Sequence, residues 1–503
     1  MTNAIRRDHA ATRRRRKMRY QADELAYLPA NEALRLFRSR QLSPVELLEA
    51  VIARAEAVEP QVNAFAERLF EKALAQARQA EARYAGRGTP PRPLEGIPVA
   101  VKEAQPIAGR PWTEGSLIMK DRTARVTHPV VERIEIAGAI IHARTTTPEF
   151  SCAGFTHSPL WGITRNPWNL DYSPGGSSGG SGAALASGAT TLATGTDISG
   201  SIRIPAAACG VVGYKPPYGR VPGLPPDNLD TYNQSGPLAR HVADCALLQN
   251  VIAGPHPADA ASLRPALRLP DLEGVVEGWR IALSVHLGDY PVDAQVAANT
   301  RAAAGALRQA GAIVEEVTLN WKRADISRAW WLHAMTIFAP AIRACIGDRL
   351  HQASPYIQGF VQQLQDDYRH VDPLEGLHIE TSLYAELGPL LEQYDALICP
   401  TTSIPALDAG DDYTDTRLVV DGIELGGYGE SLMTTPFNLI GRCPVLAVPS
   451  GRAANGVPTG VQIVAPTYED ETVFQVGAAL ERERPWFGDP SWRPPLQGTE
   501  GHS

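Results

Sequence analysis

Apolar residues recur at helical spacing in the first part of the chain, behind a clear helix start. In Ser43-Pro44-Val45-Glu46, the serine can cap the first turn, proline suits the first helical position and Glu46 completes a capping box. Apolar residues then recur every three to four positions through Ile52. A second helical run is predicted over 64–84, and the Gly/Pro-rich segment 86–93 ends it.

Short apolar runs further along the chain predict buried strands. A strand over 279–285, a helix over 292–310 and a strand over 312–319 follow one another, which is typical of a βαβ unit with parallel pairing. No internal repeat and no long linker divides the chain, so one large α/β domain with a helical N-terminal region is predicted. Other strands are predicted over 97–101, 139–143, 191–195, 397–400 and 445–449.

The composition is that of an ordinary globular chain. Its 503 residues are 44% apolar and 20% charged, which excludes disordered, collagen-like and coiled-coil proteins. The net charge of −8 is uneven, because residues 1–20 hold eight basic residues and one acid, leaving 39 basic against 54 acidic residues elsewhere. The excess of acidic residues outside 1–20 argues against broad nucleic-acid binding. We expect 1–20 to be a basic disordered tail; an arm for nucleic acid or membrane is the alternative.

Targeting and metal-binding signals are not evident. No apolar stretch follows the arginines, and no run reaches the ~18 apolar residues of a membrane span. The six cysteines lie far apart without a CxxC pair, which favours reduced thiols. The twelve histidines show no HExxH or HxH spacing. We therefore expect a cytoplasmic protein without a metal, a membrane contact or a nucleic-acid partner.

The segment 173–181, Ser-Pro-Gly-Gly-Ser-Ser-Gly-Gly-Ser, is the most unusual in the chain. It has three interpretations: a flexible linker, a phosphate-binding loop, or a rigid loop of amides and hydroxyls beside a reactive group. The linker is disfavoured because the segment is short, unrepeated and flanked by apolar sequence. A P-loop needs Gly-Lys-Ser/Thr, and no lysine follows here. The third interpretation is favoured, with the others left open.

Two further residues suggest nucleophilic chemistry. Ser201 follows a predicted strand, next to Gly200, although a lone serine is most often a turn or capping residue. Lys102 ends the apolar run 97–101, where a lysine is most often at the surface. If Lys102 is buried, desolvation lowers its pKa, and a neutral lysine is a competent general base for a serine nucleophile.

Three of these segments together resemble the amidase signature family: Gly96–Lys102, Gly175–Ser181 and Gly195–Pro205. The resemblance covers roughly residues 25–480 and implies a mixed, mostly parallel central β-sheet covered by helices on both faces. Further matching motifs lie at 147–150, 162–169, 213–216, 218–221, 236–240, 242–244, 436–439 and 456–462.

The resemblance also implies a domain organisation. The family domain is expected over 21–490, followed by a flexible tail at 491–503. Within the domain we expect a helical N-terminal region over 21–90, a catalytic core over 91–260 and a substrate-shaping region over 321–390.

A Ser–cisSer–Lys triad is implied by the resemblance. The matching residues are Ser201 as nucleophile, Ser177 as the bridging serine after a cis peptide bond, and Lys102 as base. Backbone amides of Ile198, Ser199, Gly200 and Ser201 would form the oxyanion hole, Asp197 and Arg203 would brace the loop, and Ser178 would support the triad by hydrogen bonds. The sequence departs from the family at Ser199, where glycine is usual. Which of these backbone amides donate to the oxyanion is therefore left open.

The implied function is hydrolysis of C–N bonds in small aryl or alkyl amides, with carbamates and esters as further substrates and without a cofactor. The alternatives are the amidase subunit of a tRNA-dependent amidotransferase, whose Tyr-Asp-Gly motif is absent here, and a non-catalytic binder. Oligomeric state is left open, with a homodimer as one candidate. Candidate residues for an apolar substrate pocket are Trp112, Trp330, Trp331 and Phe338, with plain core packing as the alternative.

Overall fold

The computed structural model describes residues 21–367 and 372–496, so the predicted tail at 1–20 lies outside the described residues. Most of its strands belong to one central sheet. The strands are β1 Phe65–Arg68, β2 Pro98–Lys102, β3 Ile140–Thr145, β4 His157–Ser158, β5 Gly162–Ile163, β6 Leu192–Asp197, β7 Val212–Lys215, β8 Gln234–Ala239, β9 Arg280–Leu283, β10 Ile313–Glu316, β11 Ala396–Pro400, β12 Val419–Val420, β13 Ile423–Glu424, β14 Val445–Arg452 and β15 Pro458–Val464.

The central sheet has eleven strands in the order β1-β3-β2-β6-β8-β7-β14-β15-β11-β9-β10. Parallel pairing joins β3, β2 and β6 on one side and β11, β9 and β10 on the other. The six remaining neighbouring pairs are antiparallel. The predicted single α/β domain with a mixed central sheet is confirmed, and its parallel pairing lies in two separate blocks.

Helices surround this sheet. Every residue of β2 and β15 is buried, as expected for strands covered on both faces. The helices are α1 Ala22–Ala26, α2 Ala30–Arg38, α3 Pro44–Val62, α4 Phe70–Tyr84, α5 Pro129–Ile136, α6 Gly179–Ala186, α7 Arg203–Cys209, α8 Val242–Ile252, α9 Ala294–Gln309, α10 Arg323–His333, α11 Ala339–Ile346, α12 Pro355–Asp367, α13 Pro373–Leu391, α14 Pro436–Leu439 and α15 Asp470–Glu483.

The predicted capping box of α3 is present: Val45 N donates to Ser43 Oγ at 3.0 Å, and Ser43 N donates to Glu46 Oε2 at 2.9 Å. The predicted helix over 64–84 is wrong at its start. Phe65–Arg68 instead forms the edge strand β1, paired with β3, and α4 begins at Phe70. Tertiary pairing has overridden local helical propensity there.

The predicted flexible tail at 491–503 is also wrong over its described part, because residues up to 496 pack on the domain. The ring of Trp492 lies 5.5 Å from that of Trp168 in an edge-to-face contact. Leu496 is buried in the main hydrophobic core. These apolar side chains exclude water from the domain surface beneath them.

One helical segment in the described residues is long and apolar enough to cross a membrane, judged by length and composition alone: Arg323–Ile346. It comprises α10, a π-helical turn at Ala334–Phe338 and α11. A core helix of a water-soluble domain has the same properties, and α10 packs against α13 here.

Candidate active site

The ends of β2 and β6 bring the proposed catalytic groups to one edge of the sheet. Because β2 and β6 are parallel neighbours, Lys102 at the end of β2 lies beside the segment that follows Asp197 at the end of β6. The carboxyl edge of parallel strands is a common place for ligand sites in open α/β sheets. The loop 173–178 reaches the same edge before α6 begins.

Lys102 is fully buried and is held by two hydroxyl groups. Its Nζ lies 2.7 Å from Ser177 Oγ and 2.8 Å from Thr196 Oγ1. Burial lowers the pKa of Lys102 to about 7, against the opposing charges of Glu114 and Asp197. A substantial fraction of this amine is therefore neutral near pH 7 and able to accept a proton.

Ser177 occupies a tightly packed turn. The Gly176–Ser177 peptide bond is cis. A Cβ on Gly176 would lie 2.2 Å from the Phe155 carbonyl oxygen, so only glycine fits before this serine. The next residue, Ser178, ties the turn to the loop after β6: its N–H donates to the Ser201 carbonyl at 3.1 Å, and its Oγ accepts from Thr196 N at 3.3 Å.

Ser177 and Ser201 both line one cavity of about 590 Å³. Ser201 is 7% exposed and Ser177 is 1% exposed, so both serines are nearly closed off from the surface and a substrate in this cavity would meet them there. The structure thus places Ser177 and Ser201 on a space large enough for a small organic molecule, with Lys102 behind Ser177 and hydrogen-bonded to it.

Asp197 and Arg203 form a fully buried ion pair beneath Ser201, with two nitrogen–oxygen distances of 2.9 and 3.0 Å. Burial acts to raise the pKa of Asp197, but the Arg203 guanidinium prevails and holds it at about 2. Asp197 also accepts from the amides of Gly200 at 2.8 Å and Ile202 at 3.2 Å. This carboxylate therefore fixes the backbone on both sides of Ser201.

The predicted oxyanion hole needs a correction at Gly200, because its amide is already bound by Asp197. Ile198 and Ser201 line the cavity, whereas Ser199 does not. The Ser199 hydroxyl is hydrogen-bonded to that of Thr435, and its carbonyl accepts from the Thr434 hydroxyl. An anion in the cavity would thus meet the Ile198 and Ser201 side of the loop.

Gly200 has a steric rather than a donor role, which gives a stability prediction. Its φ is +116°, and an added Cβ would lie 2.1 Å from Thr434 Oγ1. We expect Gly200→Ala to lower the free energy of unfolding by about 2 kcal/mol more than Gly88→Ala. Gly88 is a matched control because its φ is +102° and nothing lies within 4 Å of its Cβ position. Urea denaturation of both variants measures this difference, and equal losses would contradict it.

Two of the four predicted pocket residues line the cavity. Trp112 and Phe338 do, whereas Trp330 and Trp331 do not. The two tryptophans contact each other with ring centroids 5.3 Å apart, and both rings approach Phe360. The cavity is lined by residues of the π-helical turn and of α11, whereas no residue of α10 lines it. Cavity residues that the sequence did not predict include Met119, Phe150, Tyr218, Ile337, Ile342 and Cys345. Of these, Phe150 and Tyr218 lie in family-like motifs.

Comparison with known proteins identifies the family. A family model described as Amidase matches residues 46–474. The chain belongs to the amidase signature family. It is an amide C–N hydrolase by that membership, and its fold and the order of its motifs agree with the resemblance seen in the sequence.

Similar members of the amidase family differ in function. An acylamidase of Rhodococcus erythropolis is 34% identical over 92% of this chain and 96% of its own length. A glutamyl-tRNA(Gln) amidotransferase subunit of Chloroflexus aggregans is 33% identical over 92% of this chain and 98% of its own. A crystal structure of a bacterial aryl acylamidase superposes with a TM-score of 0.84 at 28% identity, covering 93% of this chain and 99% of that one. These relatives leave the substrate class open.

Proposed function

We propose that this amidase hydrolyses small aryl or alkyl amides through an acyl-enzyme on Ser201, with Ser177 and Lys102 relaying the proton. The observation that carries the proposal is the buried Lys102 amine, 2.7 Å from Ser177 Oγ, behind two serines that face one cavity. A serine hydroxyl is a weak nucleophile until a base removes its proton, and the neutral lysine is that base.

The first half-reaction forms the acyl-enzyme. Lys102 Nζ takes the proton of Ser177 Oγ, Ser177 Oγ takes that of Ser201 Oγ, and Ser201 Oγ attacks the carbonyl carbon. Negative charge develops on the carbonyl oxygen, where the backbone amides of Ile198 and Ser201 are the proposed donors. Each such donor is worth about 2.7–4 kcal/mol. The relayed proton then passes to the leaving nitrogen, the C–N bond breaks and the amine departs.

The second half-reaction releases the acid. Water enters the place of the amine, gives a proton to the same relay, and its oxygen attacks the ester carbonyl. Ser201 Oγ leaves and recovers a proton from Ser177, which restores the resting state. Each proton that the relay accepts is returned within the same half-reaction, so neither half-reaction needs a cofactor to supply or remove protons.

The cavity wall supports an apolar substrate portion. Met119, Phe150, Phe338 and Ile342 line it together with Trp112. The acylamidase and aryl acylamidase relatives also support amides with an acyl or aryl part. Carbamates and esters are candidate further substrates, because their carbonyl carbon undergoes the same attack. We also propose a cytoplasmic location, which is consistent with six free thiols.

A substrate panel tests this proposal. Purified full-length protein should release p-nitroaniline from short acyl p-nitroanilides and cleave matched p-nitrophenyl esters and carbamates. Hydrolysis of free glutamine or asparagine alone would contradict the apolar-pocket proposal, because neither side chain needs an apolar wall.

A second candidate is the amidase subunit of a tRNA-dependent amidotransferase, favoured by the 33% identity to one amidotransferase subunit over nearly its whole length. In that role the chain would release ammonia from glutamine only within a complex. Copurification with stoichiometric partner subunits, together with glutamine-only activity, would establish it. Anilide hydrolysis by the isolated chain would favour the amidase proposal instead.

The proposed base gives a pH prediction. Lys102 is active when neutral and has a pKa of about 7, so kcat/KM for a neutral anilide should rise with pH through about 7 and level off above it. Initial rates from pH 5 to 9 measure this. The Lys102→Arg variant is the control, because arginine stays protonated throughout and should give no rising limb. A flat wild-type profile across pH 6–8 would contradict the assignment.

A further inference from the structure

Glu114 stands on the wall of the catalytic cavity without the hydrogen bonds that buried carboxylates usually have. It lines the same cavity as Ser177 and Ser201. Within residues 21–367 and 372–496, neither carboxylate oxygen accepts a hydrogen bond, and the residue is half-buried. Two other cavity carboxylates differ, because Asp230 accepts from Tyr232 N at 2.9 Å and Asp259 accepts from Gly223 N at 2.9 Å. Asp227 also lines the cavity, but it is exposed.

The backbone holds Glu114 in place at some cost. Its φ is +51°, a left-handed conformation that costs a non-glycine residue about 1–3 kcal/mol. The buried Glu103 carboxylate compensates by accepting the Glu114 N–H at 2.8 Å, and the Glu114 carbonyl accepts from Phe150 N at 2.8 Å. Phe150 also has a positive φ, of 53°, and lines the cavity. Two strained turns are thus joined where the Glu114 side chain meets the cavity.

The charges around Glu114 are mostly negative. Burial, followed by the nearby Glu103 and Asp227 carboxylates, raises the pKa of Glu114 to about 7, while Arg122 and Lys102 act in the opposite direction. Lys102 is itself largely uncharged above pH 7.

Two other groups on this wall compensate the negative charge only in part, because Arg122 acts on Glu114 without forming an ion pair with it and His128 is uncharged. Arg122 lies over the Trp112 ring, 3.8 Å from its centroid, and forms no ion pair with a carboxylate in the described part of the chain. Burial lowers the pKa of His128 to about 4, so this imidazole is neutral at physiological pH. A cation placed beside Glu114 would therefore relieve repulsion among the carboxylates as well as form a new ion pair.

We propose that Glu114 determines substrate specificity by binding an ammonium group carried by the amide substrate. This inference rests on the proposed amidase function and narrows its substrate class to amino-alkyl or amino-aryl amides. The apolar residues Met119, Phe338 and Ile342 would contact the hydrocarbon part between the ammonium group and the scissile carbonyl. The ammonium N–H groups would supply the hydrogen bonds that the Glu114 carboxylate lacks.

Matched substrate pairs test the proposal. We would compare p-nitroanilides of ω-amino acids with those of alkanoic acids of equal chain length, for several lengths, at pH 8. The preference ratio is kcat/KM for the amino substrate divided by kcat/KM for its alkyl match. In the wild type we expect this ratio to reach about tenfold or more at one chain length, through a lower KM. Glu114→Gln should bring the ratio to about one.

The control and the pH dependence sharpen the test. Asp121→Asn removes a carboxylate from an exposed residue of the same segment outside the cavity lining and should leave the ratio unchanged. The titration of Lys102 changes kcat/KM for both substrates by the same factor, so it does not change the preference ratio. It should rise from pH 6 to pH 8 as Glu114 ionises, and in Asp227→Asn that rise should occur at lower pH.

The outcomes separate this inference from the proposed function. If both substrates are hydrolysed but the ratio is near one at every chain length, or is unchanged in Glu114→Gln, the role of Glu114 is disproved while the amidase proposal stands. If neither anilide is hydrolysed by the wild type, the proposed function itself fails.

Discussion

Replacing Ser201 by alanine is expected to lower kcat/KM for a p-nitroanilide by about 10⁵-fold or more, because the substitution removes the hydroxyl of the proposed nucleophile. The fold should survive, since the bonds of Asp197 to Gly200, Ile202 and Arg203 do not involve the Ser201 side chain. Steady-state rates with active-site titration measure the effect. The same variant should lose labelling by a fluorophosphonate probe.

Ser450→Ala is the matched control for this variant. Ser450 is a buried serine on β14 that is bound to Thr459 and is not among the residues lining the cavity. Its substitution should leave the labelling and the rates close to those of the wild type. If the wild-type protein itself resists the probe and hydrolyses nothing, the alternative of a non-catalytic binder would be favoured. Retained activity in Ser201→Ala would exclude Ser201 as nucleophile.

Replacing Lys102 by methionine should lower kcat/KM for amides much more than kcat/KM for activated esters. Methionine keeps most of the side-chain volume in this fully buried position but cannot accept a proton. We expect kcat/KM for an anilide to fall by about 10³- to 10⁴-fold, the usual range for loss of a general acid–base group. The loss for a p-nitrophenyl ester should be at least tenfold smaller, because p-nitrophenolate leaves without a proton.

Lys215→Met is the comparison for this second variant. Lys215 is also fully buried with its pKa lowered to about 7, but it donates to backbone carbonyls, such as that of Cys443, and is not a cavity residue. Any loss of kcat/KM in Lys215→Met should be equal for the anilide and the ester. An equal loss for both substrates in Lys102→Met would contradict Lys102 as proton donor to the leaving nitrogen.

The strands that position the site could be predicted from sequence because they are short apolar runs. The runs 97–101 and 191–195 correspond to β2 and β6, whose parallel pairing places Lys102 beside the Ser201 loop. The sequence does not predict the burial of Lys102, since a lysine at a strand end is more often exposed. The order of the glycine- and serine-rich motifs then indicated the family, which the family model confirms.

Features that depend on distant parts of the chain could not be predicted. The edge strand β1 forms because β3 offers a free partner, which local helical periodicity does not reveal. Composition predicts Trp330 and Trp331 as pocket residues, but both rings lie against Phe360, and residues of the following π-helical turn and α11 line the cavity instead. The engagement of the Gly200 amide by Asp197 depends on a loop conformation that no spacing rule specifies.

The ion pair beneath Ser201 has a consequence for synthesis on the ribosome. Arg203 donates to the Thr434 carbonyl, to Asn438 Oδ1 and to Gln462 Oε1, more than 230 residues downstream. A nascent chain that already contains all three proposed catalytic residues therefore lacks the partners that shape their loop. The polypeptide would emerge inactive and would gain its enzymatic competence only after residue 462 has been synthesised, so a stop codon that truncates the chain before residue 434 should yield an inert product.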